Sequence, residues 1–145
     1  MKLFGPTLRN LVTASAIACL SLGVYAEKIK LSADITAASE VPPKATPGHG
    51  TLTGTVDTDT DVFTYHITFE GLTGPAAAAH FHGPAMAGEN AKPQLPIKVS
   101  PIVSPIDGKA TLTADQVKDL VAGKWYFNIH TAANPGGEIR GQIEK

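Results

Sequence analysis

The stretch "DVFTYHITFEGL", Asp61 to Leu72, decides the fold class. Phe63, Tyr65, Ile67 and Phe69 fall on one phase, and Thr64, His66, Thr68 and Glu70 on the other. Successive side chains of a strand point to opposite faces, so a period of two describes a strand with one face in a core. Working outward, "KIKLSADIT" (Lys28 to Thr36) puts Ile29, Leu31, Ala33 and Ile35 on one phase, and "GTLTGTVD" (Gly50 to Asp57) joins the opening stretch through a hairpin at Asp57 to Asp61. "AAAAHFHG" (Ala76 to Gly83), "KWYFNIHT" (Lys124 to Thr131) and "GEIRGQIE" (Gly137 to Glu144) add three more strands, the last two around an Asn134-Pro135-Gly136-Gly137 turn. "QLPIKVSPIVSPIDGKATLT" reads as an extended segment followed by a tight Asp107-Gly108 turn. Prolines 93, 96, 101 and 105 confine much of it to an edge or a loop.

One helix is signalled. Thr113 is an N-cap with Gln116 three residues on, Val117, Leu120 and Val121 form the apolar stripe, and Gly123 closes it. Seven or so short strands with one short helix predict an all-β fold, an antiparallel β-sandwich or barrel with Greek-key style connections.

The first 26 residues read differently. Lys2 and Arg9 precede the apolar "LVTASAIACLSLGVYA", which ends in Val24-Tyr25-Ala26, the small-residue pattern of a signal-peptidase site before Glu27. Residues 1–26 are therefore expected to be a signal peptide and 27–145 the exported domain, periplasmic or secreted, with no membrane span after cleavage. A lipoprotein reading would use Cys19, but the apolar "LSLGVYA" behind it makes a poor tether. Loss of Lys2 and Arg9 takes the formal net charge from −1 to about −3, leaving no basic block for nucleic acid. Cys19, the one cysteine, leaves with the leader. That excludes disulfides and metal–thiolate sites from the remaining domain of about 119 residues.

The strand phases turn four of the five histidines away from the core. His66 lies opposite Phe63 and Ile67; His80 and His82 lie opposite Phe81; Tyr126, Asn128 and His130 lie opposite Trp125, Phe127 and Ile129. The fifth, His49, stands between two glycines in the Pro-rich "SEVPPKATPGHG" loop and is expected to be exposed. Each alone is an ordinary surface residue. The pair His80/His82 is different, because residues i and i+2 on a strand share a face roughly 6.5–7 Å apart. Their imidazoles can converge on one ion, and a third histidine from a neighbouring strand would complete the set.

Other constellations are weaker. "DTDTD" (Asp57 to Asp61) imitates a calcium loop but has Val62 where the invariant glycine belongs and Thr68 where the glutamate belongs, so a solvated turn is expected. Glu138 and Arg140 share a strand face and read as a structural ion pair or a solvated edge, or, for Glu138, as support for a ligating histidine. Met86 could offer a soft ligand to Cu(I), and otherwise reads as an exposed loop residue. No serine carries a nucleophile elbow.

Gly71-Leu72, Ala78-Ala79-His80-Phe81-His82-Gly83 and Asn128-Ile129-His130-Thr131 through Gly141 together resemble the CHRD domain family, named for chordin and widespread in exported bacterial proteins. The similarity covers nearly all of the chain after the leader. It implies a free-standing all-β domain, and it matches the family's histidines at His80, His82 and His130; His66 lies in a more variable strand. For these positions the resemblance implies a metal role. Imidazole-only sites favour Cu(II) most among first-row divalent ions, with zinc next. The expectation is an exported copper-binding protein serving sequestration, delivery or tolerance, with His66 as a fourth ligand and no enzymatic role required. The alternatives are a metal-free extracellular interaction module, with a partner protein or a homo-oligomer, and a copper oxidoreductase using an open coordination position.

Overall fold

The computed structural model describes residues 27–145, so the expected leader, Cys19 included, lies outside the described residues. Eight strands and one helix follow in chain order: β1 (Lys28–Thr36), β2 (His49–Asp57), β3 (Val62–Glu70), β4 (Ala76–His82), β5 (Pro93–Pro96), β6 (Ile106–Thr111), α1 (Ala114–Val121), β7 (Tyr126–Thr131) and β8 (Ile139–Gln142). All strands join one strongly curled antiparallel sheet, a half-barrel, in the order β5-β4-β7-β8-β1-β2-β3-β6. The all-β reading with one short helix is thus what the chain forms. Among the described residues, no helix is long and apolar enough to cross a membrane.

The alternation read from the sequence builds the core. Leu31, Ala33 and Ile35 of β1, Leu52 and Val56 of β2, and Phe63 and Ile67 of β3 are buried on one face. Fully burying an aliphatic or aromatic side chain of this size contributes roughly 1.5–3 kcal/mol. Phe81 is the hub of the aromatic packing, with ring centroids 5.4 Å from Phe63, 4.9 Å from Tyr65 and 5.0 Å from Phe127. The prolines act as expected: β5 is a four-residue edge strand with proline at both ends.

Helix α1 has both expected ends. Thr113 accepts from the Gln116 N–H while the Gln116 side chain accepts from the Thr113 N–H, a reciprocal capping box. At the other end Gly123 takes φ +72 and donates to the Leu120 carbonyl, and Lys124 donates to Asp119, which is the Schellman arrangement. Val117 and Leu120 are its buried face.

Three expectations are corrected. Asp107 and Gly108 do not turn; both lie inside β6, paired with His66 and Tyr65 of β3. Gly108 is there because the Tyr65 ring lies across it, where a Cβ would collide. His49 is exposed but opens β2 rather than sitting in a loop, its ring against Glu70 at 3.0 Å. Tyr126 and Asn128 point away from the core as read, yet are only 2% and 3% exposed. The segment after β4 and the loop around Glu40 fold over them: the Ala91 N–H meets the Tyr126 hydroxyl at 3.2 Å, and the Asn128 amide donates to Glu40 at 3.3 Å. The β4–β7–β8 part of the sheet therefore has a covered polar layer on its second face.

Candidate metal centre

Strands β4 and β7 are antiparallel neighbours, with His80 opposite Asn128, His82 opposite Tyr126 and Ala78 opposite His130. That register brings the pair from β4 and the histidine from β7 together on the face away from Phe81 and Phe127. One ring nitrogen from each of His80, His82 and His130 lies within 4.8 Å of the others. The closest two are His80 Nδ1 and His130 Nε2, 3.2 Å apart. Nitrogens sharing an ion at about 2 Å stand roughly 3–3.5 Å from each other, so this pair is already at ligand spacing, and a His82 ring nitrogen stands within 4.8 Å of both.

The surroundings fix much of the proton arrangement. His130 Nδ1 is 2.9 Å from the Pro135 carbonyl, an oxygen that can only accept. Nδ1 therefore carries the hydrogen, and Nε2 presents its lone pair to His80. A backbone carbonyl holding one ring nitrogen while the other is free is the usual support of a metal-binding histidine. Burial, then the proximity of His130 and His82, lowers the pKa of His80. Burial also lowers that of His82, against hydrogen bonds to Ala91 and Asn128 that act to raise it. Both rings are thereby biased to the neutral form a metal requires.

Around His82 the packing is close. Its ring stacks on Tyr126, centroids 4.8 Å apart and 3° from parallel. From β8, on the other side of β7, the Arg140 guanidinium sits 3.4 Å from the Tyr126 centroid. Arg140 also donates to the Glu89 carbonyl and to Asn90 Oδ1, which fastens the covering segment. His82 Nδ1 is 2.9 Å from the Ala91 carbonyl of that segment, and Nε2 is 3.0 Å from Asn128 Oδ1.

His66 does not join this group. Its Nδ1 lies 2.7 Å from Asp107 Oδ1, and β8, β1 and β2 separate its strand from β7. It borders instead a cavity of about 550 Å³ lined also by Lys30, Thr53, Thr55 and Thr64. Met86 is 55% exposed, a loop side chain. Glu138 and Arg140 are neither solvated nor paired with each other: both are buried, and Glu138 accepts from Thr73, Thr131 and Asn134 rather than from a histidine. Asp57 serves its turn, accepting from the Asp59 and Thr60 N–H groups. Sequence reading missed Glu40, Asn128 and the carbonyls of Ala91 and Pro135. Asn128 was visible as a polar residue in phase with His130; Glu40, in an irregular loop, carried no signal.

A family model, the CHRD domain, matches residues 31–143, a span that includes all three histidines and the strands that carry them. No curated protein and no solved structure matches the chain.

Proposed function

The chain belongs to the CHRD domain family, and on that premise we propose that it is an exported protein that binds copper through His80, His82 and His130. The observation that carries the reading is the convergence of three imidazoles within 4.8 Å on one sheet face, with the His130 nitrogen fixed by a backbone carbonyl. Export accords with a family typically found in extracellular modules and with the leader read in residues 1–26. Copper accords with an all-nitrogen donor set without thiolate, for which Cu(II) stands at the top of the divalent series and zinc below it. His80 and His130 are partly exposed, so an ion has a path in and out. A stoichiometric role in sequestration or delivery needs no more than this.

The test is a Cu(II) titration of the untagged protein, read by metal analysis and electron paramagnetic resonance, beside the double variant His80→Ala/His82→Ala. One tight copper with several nitrogen ligands, lost in the folded double variant, is the expected result. A double variant that holds one copper as tightly as the parent would overturn the site. Zinc bound in preference to copper would overturn the metal.

A further inference from the structure

Both ring nitrogens of His82 face an oxygen. Nδ1 meets the Ala91 carbonyl at 2.9 Å and Nε2 meets Asn128 Oδ1 at 3.0 Å. The orientation of the Asn128 amide is set from behind. Its Nδ2 donates to Glu40 Oε1 at 3.3 Å, and a carboxylate only accepts, so the amide must turn its oxygen to His82. Glu40 is itself held, 3% exposed, with its other oxygen on the Val41 N–H at 3.0 Å. Asn128 stands directly opposite His80 and two residues before His130, and Nδ1 is taken up by the covering segment, so Nε2 is the His82 nitrogen on the side of the strand that carries His130. Its lone-pair direction is the one an arriving ion needs, and it is occupied by an amide oxygen. Between His80 Nδ1 and His130 Nε2, 3.2 Å apart, stands only the His80 ring hydrogen, which can pass to the other nitrogen of that ring, and no oxygen.

We propose that Asn128, aimed by the buried Glu40, is a displaceable substitute for the metal ion at His82 Nε2. In the metal-free protein it competes with the Ala91 carbonyl for the one hydrogen of the neutral ring and holds it on Nε2; on loading, that hydrogen passes to Nδ1, where the Ala91 carbonyl accepts it, and the ion takes the place of the amide oxygen. His80 and His130 are then the standing pair, and His82 is the recruited third ligand. The exchange makes the final ligand cheap to release, which suits a carrier that must hand its ion on. Asn128 and Glu40 act here as positioning residues. The inference rests on the three-histidine reading, and its first readout is independent of metal.

That readout is the nitrogen-15 spectrum of the histidine rings in the metal-free protein. His82 is expected to carry its hydrogen on Nε2 in the parent and to shift it to Nδ1, toward Ala91, in Asn128→Ala. Cu(II) is then titrated alone. With no amide oxygen to displace, the alanine variant should bind about tenfold more tightly and release copper about tenfold more slowly, the scale of one buried hydrogen bond. Glu40→Gln supplies a second variant. Its amide can present a hydrogen to Asn128, reverse the Asn128 side chain and move the His82 proton in the same direction while leaving the packing intact. A parent whose His82 is protonated on Nδ1 overturns the proposal, as does a folded Asn128→Ala that binds Cu(II) equally or more weakly. A parent that takes up no copper at all overturns the copper site itself, whatever the ring spectrum shows.

Discussion

Glu138→Ala is expected to be among the costliest single changes in the protein, although Glu138 touches no histidine. The side chain is fully buried. One oxygen accepts the Thr73 N–H at 2.8 Å; the other accepts the Thr73 and Thr131 hydroxyls at 2.7 and 2.6 Å and the Asn134 amide at 3.2 Å. Hydrogen bonds to a charged group contribute about 1.5–3 kcal/mol each, and an orphaned buried donor costs about 1–3 kcal/mol. The hydroxyls can turn elsewhere; the Thr73 N–H cannot. The net loss works out at about 3–5 kcal/mol, a fall in melting temperature of roughly 10–15 °C for a domain this size. Urea unfolding at pH 7 measures it. Glu138→Gln keeps one acceptor and should lose about 1–2 kcal/mol. The sign with pH is fixed: burial acts to raise the Glu138 pKa, but hydrogen bonds from Thr131, Thr73 and Thr46 outweigh it and hold the group below 4.5. Its contribution is therefore complete above the ordinary carboxylate range and is lost as pH falls through the depressed folded value. The gap between parent and Gln variant should close as pH drops from 7 toward 3. An alanine variant within about 1 kcal/mol of the parent, or a gap constant with pH, would refute the reasoning.

Three further outcomes are expected. Gly108→Ala places a methyl group against the Tyr65 ring and should cost about 1–3 kcal/mol in thermal unfolding while leaving copper uptake unchanged, since β6 and β7 lie far apart in the sheet. His66→Ala removes a half-exposed pair with Asp107 and should change stability by about 1 kcal/mol or less and copper affinity not at all; lost uptake would put His66 back among the ligands. His80 and His82 have lowered pKa values, so the unfolded chain takes protons there more readily than the folded one, and stability should fall as pH drops below about 6.5. Urea midpoints between pH 7.5 and 5 check this, and the fall should flatten in His80→Ala/His82→Ala.

The alternation in β1, β3 and β7 was legible because those strands have one face in the core, and period two then fixes which residues enter it. Phe81 buried with His80 and His82 opposite followed from the same rule, as did the short proline-bounded edge strand. The capping box and Gly123 marked α1 because caps are local chemistry. What escaped was whatever depends on distant chain. Asp107-Gly108 has the composition of a turn, and only the Tyr65 ring on the neighbouring strand explains a glycine in mid-strand. Tyr126 and Asn128 were read as outward, correctly, but outward meant covered, because residues 83–92 and Glu40 close over that face. Four histidines on non-core faces looked alike in sequence; strand order alone separates His66 from the three that meet.

The place of β8 in the sheet has a consequence for timing. It follows every other strand in chain order, yet it lies between β7 and β1, which it meets at Thr36 opposite Arg140. Strands β1 to β3 pair with near neighbours and can assemble as they are made. His80 and His130 are 50 residues apart, so at ~5–20 residues per second the ribosome leaves His80 and His82 alone for about 3–10 s before their third partner exists. Until β7 is made, the cluster is no more than a pair of imidazoles on one strand. Strands β4 and β7 pair directly, so the three histidines can meet before β8 joins the two halves of the sheet.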